Sequence, residues 1–350
     1  MIPRPAAFAI PGDITTMTGG YIYERRLLEE LRKLGHDVQH IELGASFPDP
    51  TPQDMDHAVR TLCALDPARA LILDGLVHGA IDTDGLACVH APIVAMIHHP
   101  LALETGLDAA RRDHLFRTER ANLALARKVL VPSPHTAQIL SRDYAVPVDR
   151  ITIAQPGAAQ PTAPRAPTQL PLILSVGILH PRKGHDVLLQ ALASLMDQPW
   201  RAVIVGSPHD PDHADALLRL VDDLRLGDRV TFVGRIPQAQ LDTLFAEATM
   251  FALATRYEGY GMVFDEALAW GLPIVSCATG AVPGTVPSEA GLLVPPGEAA
   301  PLAEALARVL DDPALRARMG DAAARAGAAL PGWADTARRA GRVLDALSNA

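Results

Sequence analysis

The sequence predicts an α/β protein of two domains, each a parallel β-sheet covered by helices. Short apolar runs alternate with amphipathic segments along the whole chain, which is typical of strand–helix units in a parallel sheet. The 350 residues are too many for one average domain and comfortable for two. The alternation stops once, at residues 155–171, where proline, alanine, threonine and glutamine dominate without periodicity, so we expect a linker there.

The apolar runs and amphipathic segments give the elements in order. In the first half we expect strands at residues 6–10, 38–43, 70–73, 93–97, 129–131 and 151–154, and helices at 21–34, 54–65, 111–126 and 134–144. In the second half we expect strands at 172–176, 201–205, 230–233, 250–254 and 273–276, and helices at 185–196 and 261–270. From residue 301 the chain is predicted to be helical to its end, with a break near Pro331 and Gly332.

These elements predict domains over residues 1–165 and 166–330, followed by a helix over 331–350. Ligands of doubly wound sheets bind at the carboxyl ends of the strands. We therefore expect the active site in a cleft between the two domains.

The composition excludes several classes of protein. A net charge of −9 argues against a general nucleic-acid binder, and 49% hydrophobic residues argue against disorder. Three widely spaced cysteines predict neither a disulfide framework nor a zinc site. The first apolar run is too short for a signal peptide and no run is long enough to span a membrane, so we expect a cytoplasmic protein. Peripheral contact with the inner face of a membrane stays open.

Two glycine-containing turns precede predicted helices and are candidates for phosphate binding. Gly19 and Gly20 end a long loop after the first strand, where backbone N–H groups and the helix dipole favour an anion, although such glycines also serve turns. The first strand of the second half ends at Gly177, and Arg182 and Lys183 follow in the turn. Two adjacent cations there can neutralise a departing diphosphate, whereas a solvated turn is the alternative.

A third motif, at residues 258–267, combines two glutamates with a helix start. Glu258 precedes Gly261 in a loop and is a candidate to hold sugar hydroxyls. Met262 and Val263 begin the helix, where free N–H groups suit a phosphate. Glu266 is expected about two turns into that helix, where its carboxylate can accept hydrogen bonds from both hydroxyls of a ribose. Two solvated acids are the alternative explanation.

His98 ends an apolar strand at the edge of the expected cleft and is a candidate hydrogen-bond donor to a sugar, although a structural histidine is commoner. Three Asp-x-Asp patterns begin at Asp54, Asp82 and Asp210. Their scatter shows how readily the pattern arises by chance, so we expect no metal site and no cofactor.

Together these residues resemble the retaining glycosyltransferases of family 4, which have the GT-B fold of two Rossmann-like domains facing each other across a cleft, with a C-terminal helix that crosses back to the first domain. The resemblance covers essentially the whole chain. It implies a nucleotide-sugar donor (UDP-, GDP- or ADP-linked) on the second domain and an unknown acceptor on the first. It assigns the ribose to Glu266, the sugar to Glu258 and His98, the nucleotide and its phosphates to the backbone of Gly261, Met262 and Val263, the diphosphate to Lys183, and the phosphate loops to Gly19, Gly20 and Gly177.

The chain departs from the family pattern at two places. Ile178 stands where the family usually has an arginine, for which Arg182 is a candidate substitute, and Gly284 stands where the family has an acid. The expected reaction is transfer of a sugar to an acceptor hydroxyl with retention and without metal. The alternatives are a nucleotide-sugar epimerase or hydrolase on the same fold, or an inactive nucleotide-sugar-binding subunit.

Overall fold

The computed structural model describes residues 5–347 and divides them into two compact units. The first unit comprises the described residues up to Gly157 and those from Pro331 onward, and the second is Ala158–Leu330. The predicted boundary at residue 165 is therefore too late. Arg165 donates to the carbonyl of Gly271 (3.1 Å), which ties the end of the predicted linker to the second unit.

The first unit contains a six-stranded sheet of parallel strands in the order β2-β1-β3-β4-β5-β6. The strands are β1 (Ala6–Pro11), β2 (Val38–Leu43), β3 (Ala70–Asp74), β4 (Ile93–Met96), β5 (Lys128–Val131) and β6 (Ile151–Ile153). Its helices before the second unit are α1 (Gly19–Lys33), α2 (Pro52–Cys63), α3 (Gly75–His78), α4 (Thr83–Ala87), α5 (Ala109–Leu125) and α6 (Pro134–Asp143). The central strands are apolar runs because helices cover both of their faces.

The second unit repeats this architecture with a sheet in the order β12-β11-β10-β7-β8-β9. Its strands are β7 (Leu172–Val176), β8 (Arg201–Val205), β9 (Val230–Gly234), β10 (Met250–Leu253), β11 (Ile274–Cys277) and β12 (Gly291–Val294). Its helices are α7 (His185–Ala193), α8 (Pro211–Asp223), α9 (Gln238–Glu247), α10 (Met262–Ala269), α11 (Val282–Thr285), α12 (Ala299–Asp311) and α13 (Pro313–Ala328). The edge strand β12 and helix α9 were not predicted, because three of the four residues of β12 are only partly buried and α9 has only a weak apolar stripe.

The C-terminal helical region is broken twice, whereas one break was predicted. Asp312 ends α12 and caps α13 by accepting from the N–H of Leu315 (2.8 Å), and Pro313 opens α13. The last helix, α14 (Trp333–Ala346), belongs to the first unit and packs against α1, with the rings of Trp333 and Tyr23 5.5 Å apart. Residues 348–350 of the predicted helix lie outside the described residues. Within the described part of the chain, every helix is too short or too polar to cross a membrane.

The cysteine expectation was wrong for one pair. Cys63, at the end of α2, forms a disulfide with Cys88, just after α4, and their Cα atoms are 5.7 Å apart. Their separation of 25 residues hides this contact from a search for closely spaced motifs. Cys277 is a buried free thiol, as expected for a small core residue.

Candidate active site

Lys183, Arg182 and Glu258 meet at the carboxyl edge of the second unit's sheet. Strands β7 and β10 are parallel neighbours, so the turn after β7 and the loop after β10 leave the sheet on the same side. Lys183 Nζ lies 2.6 Å from Glu258 Oε1, and Arg182 Nη1 lies 3.5 Å from Glu258 Oε2. The structure thus brings together the three residues that the sequence assigned to phosphate and sugar.

The turn that carries Lys183 depends on close backbone approaches. Gly184 has a φ of +65°, and a Cβ there would lie 2.0 Å from the carbonyl oxygen of Ala254. A Cβ at Gly177 would lie 3.3 Å from Lys183 Cδ, so this glycine leaves room for the lysine side chain. Gly177 therefore has a steric role in this turn, and its part in donor binding stays a prediction.

Glu258 is buried, which argues against the alternative explanation of a solvated acid. Only 5% of the residue is exposed, and Thr255 Oγ1 lies 3.1 Å from Glu258 Oε1. Burial by itself would raise the pKa of this carboxyl, but Lys183 and Arg182 outweigh that effect and hold the pKa below its ordinary value. Glu258 is therefore an ionised, hydrogen-bonded carboxylate at neutral pH.

Residues that the sequence analysis missed hold the Glu258 loop. The N–H of Ala281 donates to the carbonyl oxygen of Glu258 (2.8 Å), and a Cβ on Gly280, whose φ is +53°, would lie 2.2 Å from that oxygen. Arg256 pairs with Asp186 (2.7 Å) and its N–H donates to the carbonyl of Arg182 (2.8 Å). These contacts link distant segments, so no local pattern in the sequence indicates them.

Glu266 lies on α10, which follows the same loop. Gly261 precedes the helix with a φ of +87°, and Met262 and Val263 form its first turn, where N–H groups lack intrahelical acceptors. Glu266 is the fifth residue of the helix, just over one turn from its start rather than two. Burial, and then the neighbouring Asp265 and Asp242, raise the pKa of Glu266 to about 7.

In the first unit, His98 follows β4 and faces the start of α1. A Cβ on Gly20 would lie 3.4 Å from His98 Cδ2, so the glycine allows the helix to pack against the imidazole. Gly19, the first residue of α1, has no atom within 4 Å of an added Cβ and is sterically open. His98 Nε2 lies 3.4 Å from Oε1 of Glu24, and its ring meets the Tyr23 ring edge-on at 5.1 Å.

Glu24 and Asp74 are a second pair that the sequence analysis missed. Both are buried and share a hydrogen bond. Burial raises the pKa of Glu24 to about 7, while burial and the Glu24 charge raise the pKa of Asp74. Among residues 5–347, Glu24, Asp74 and His98 are the one group of three acidic, histidine or cysteine side chains whose potential metal-binding atoms all lie within 4.8 Å of one another.

The three Asp-x-Asp patterns have structural roles at their first residue. Asp54 Oδ2 accepts from the N–H of Ser46, while Asp82 and Asp210 cap α4 and α8. Asp210 caps α8 by accepting from the N–H of His213 at 3.0 Å.

Comparison with known proteins assigns the second unit to a family. Residues 159–326 match the family model described as glycosyl transferases group 1. The matched segment, which is just under half of the chain, is similar to a group 1 glycosyltransferase domain. This domain covers the Lys183 turn, the Glu258 loop and α10. The predicted resemblance to glycosyltransferases is thus confirmed.

Curated relatives and solved structures agree with this assignment. Two proteins named D-inositol 3-phosphate glycosyltransferase, from Corynebacterium glutamicum (strain R) and Nocardia farcinica (strain IFM 10152), are 31% and 34% identical over 233 and 237 residues. These alignments cover 61% and 63% of this chain and 56% and 52% of the relatives, so the chain matches about half of their length.

Two solved structures resemble this chain over 99% of its length. Sucrose-phosphate synthase from Thermosynechococcus elongatus has a TM-score of 0.86 at 24% identity, with 99% of that chain covered. Anabaena Alr3699/HepE in complex with UDP has a TM-score of 0.74 at 17% identity, with 100% covered. Together with the two six-stranded parallel sheets, these matches confirm the predicted GT-B fold class.

Proposed function

We propose that the protein is a retaining glycosyltransferase that moves a sugar from a nucleoside diphosphate sugar to an acceptor hydroxyl without a metal ion. One observation carries this proposal. In a group 1 glycosyltransferase domain, Lys183 and Arg182 flank the buried Glu258, and the same loop leads into the helix that bears Glu266. A diphosphate, a sugar and a ribose each have a chemically suited partner in this group.

The donor nucleotide is assigned to α10. The carboxylate of Glu266 accepts hydrogen bonds from the two ribose hydroxyls, and the N–H groups of Met262 and Val263 face the phosphates at the helix start. The crystallised Anabaena protein named above binds UDP, which makes a uridine donor the first to test. The base itself stays open among uridine, guanosine and adenosine.

The leaving group is assigned to Lys183 and Arg182. Their two positive charges against the one negative charge of Glu258 leave an excess positive charge for a diphosphate. This excess takes the place of a divalent cation and of the arginine that Ile178 replaces. Glu258 holds the lysine ammonium and accepts from a sugar hydroxyl.

Transfer then breaks the bond between the anomeric carbon and the diphosphate oxygen and forms a bond to the acceptor oxygen on the same face. A diphosphate oxygen takes the acceptor proton. Glu258 is a poor alternative as the proton acceptor, because its carboxylate already accepts from Lys183 and Thr255.

The acceptor is assigned to the first unit, in the loops around residues 13–23 and 100–117. The arginines of this region do not by themselves indicate an acidic acceptor, since Arg111 and Arg117 already pair with Asp49 and Asp113. The names of the curated relatives nevertheless make inositol phosphates the first acceptors to test.

The test follows both substrates in one experiment. Purified protein is incubated with UDP-, GDP- and ADP-sugars, with EDTA, and with or without polyol and inositol phosphate acceptors, and the product is analysed by NMR. We expect acceptor-dependent transfer with an unchanged anomeric configuration. Donor epimerisation or hydrolysis that ignores the acceptor would favour the alternative enzymes, and inversion would refute retention.

A further inference from the structure

A chain of three hydrogen-bonding side chains runs through the first unit from its core to His98. Asp74, the last residue of β3, is 3% exposed, and Glu24 on α1 is 1% exposed. The two carboxyls share a hydrogen bond, and Glu24 Oε1 lies 3.4 Å from His98 Nε2. The His98 side chain is 22% exposed, so it is the member of the chain with most access to a ligand.

The charges around these three side chains favour a single proton shared by Glu24 and Asp74. Within residues 5–347, neither Glu24 nor Asp74 has a lysine or arginine in ion-pair contact. Tyr21 and Tyr23 on α1 are the titratable groups that feel the charge of the cluster, while Asp13 after β1 acts on Tyr21 and Arg339 of α14 acts on Tyr23. Two buried carboxyls in contact, without a cationic partner, cannot both be ionised, so at least one of them carries a proton.

This arrangement selects one form of the imidazole. In the singly protonated pair, the remaining negative charge lets Glu24 Oε1 accept from Nε2–H of His98. Burial lowers the pKa of His98, so the ring is neutral at pH 7 and its other nitrogen, Nδ1, is an acceptor. The Tyr23 edge and Gly20 restrict the rotation of the ring.

We propose that Glu24 and Asp74 are positioning residues that hold one proton between them and fix His98 as its Nε2–H tautomer, so that Nδ1 accepts a hydrogen bond from a hydroxyl of the bound substrate. The proposal rests on the proposed function, in which His98 faces the sugar. It adds a buried pair that acts only through His98.

Substitutions at the pair give distinct expectations. Glu24→Gln and Asp74→Asn each mimic the singly protonated pair, because the new amide donates to the remaining carboxylate. In Glu24→Gln the amide oxygen also stays available to His98. Both variants should keep the tautomer and lower kcat less than about 5-fold, within the energy of one ordinary hydrogen bond. Glu24→Met removes the acceptor and should lower kcat by about 10-fold to 100-fold, with the nucleotide Kd unchanged.

The test is NMR of the full chain labelled with ¹⁵N-histidine at pH 7, with His98 assigned by its loss in His98→Gln. We expect Nε2–H in the wild type, in Glu24→Gln and in Asp74→Asn, and a mixture of tautomers in Glu24→Met. Glu119→Met is the matched control, because Glu119 is another buried carboxyl, accepting from the N–H of Leu101 (3.1 Å). It should leave the His98 signal unchanged.

The kinetic arm tests whether the pair acts through His98. Glu24→Met should lower kcat by less than about 3-fold when it is added to His98→Ala, because substitutions within one hydrogen-bond network do not have additive effects. An Nδ1–H or charged His98 in the wild type, or an unchanged tautomer in Glu24→Met, would overturn the proposal. So would Mn²⁺ or Zn²⁺ that raises the Tm of the wild type but not of Glu24→Met. Because NMR needs no turnover, an inactive wild type with the expected tautomer would refute the proposed function alone.

Discussion

Replacing Lys183 by methionine tests both the stability and the chemistry of the Glu258 cluster. The substitution keeps the length of the side chain but removes the charge 2.6 Å from a carboxylate that is 5% exposed. Breaking a buried ion pair from one side costs about 3–5 kcal/mol, since the other charge stays buried. Arg182 and Thr255 still contact Glu258, so we expect the low end, about 3 kcal/mol.

The pH dependence of this loss has a definite sign. In the wild type the pKa of Glu258 lies below its ordinary value, so its contribution to stability is present above about pH 4.3 and disappears as the pH falls through the lowered pKa. In Lys183→Met the balance shifts toward the effect of burial, which raises the pKa. The destabilisation should therefore diminish as the pH falls toward about 4.

Urea unfolding of four proteins measures the effect: wild type, Lys183→Met, Glu258→Gln and the double variant. The double variant should be more stable than Lys183→Met by about 2 kcal/mol, because it leaves no orphan carboxylate. Turnover should stay about 100-fold to 1000-fold below the wild type in Lys183→Met and in the double variant, since both lack the lysine ammonium assigned to the leaving group. Additive losses of stability in the double variant would refute a coupled, buried pair.

Three further predictions concern the donor site. The affinity for the nucleoside diphosphate should fall as the pH drops below about 7, because protonated Glu266 is a poorer acceptor for the ribose hydroxyls. Calorimetry should show that the affinity of Glu266→Gln depends less on pH. Equal pH dependence in the two proteins would contradict the assignment of the ribose to Glu266. Gly280→Ala should destabilise the protein by more than about 2 kcal/mol and reduce transfer, because the new Cβ would lie 2.2 Å from the carbonyl oxygen of Glu258. Gly284→Ala is the control, because no atom lies within 4 Å of an added Cβ there. It should change neither the melting temperature nor the activity. EDTA should leave the initial rate of transfer within about 2-fold, since Lys183 and Arg182 supply the positive charge; loss of activity that Mg²⁺ or Mn²⁺ restores would show a metal requirement.

The fold followed from the sequence where burial on both faces imposes a continuous apolar pattern. Strands such as β1 and β10 are apolar throughout, and the structure has them within a residue of the prediction. Short edge elements have no such constraint, which is why β12 was missed. The Cys63–Cys88 pairing depends on two helix ends that meet in space, so spacing in the sequence did not indicate it.

The site was predictable where one turn or one helix start carries the chemistry, as at Lys183 and Glu266. The burial of Glu258 was not, because it depends on Gly280 from the next strand's loop. Asp74 offered a signal that was overlooked, since a carboxylate directly ends a buried apolar strand. Its partner Glu24 stands among charged residues of α1, and only the folded chain shows that it points inward.

Calorimetric titration with UDP, GDP and ADP tests most directly whether the second unit holds a nucleotide through Glu266. The wild type is expected to bind one of the three with a Kd in the micromolar range, and Glu266→Ala to bind it at least about 10-fold more weakly, the value of one lost hydrogen bond to a charged group. Glu304→Ala, which removes an exposed glutamate on α12, should bind like the wild type. Equal binding by Glu266→Ala, or no binding of any nucleotide by the wild type, would contradict the account.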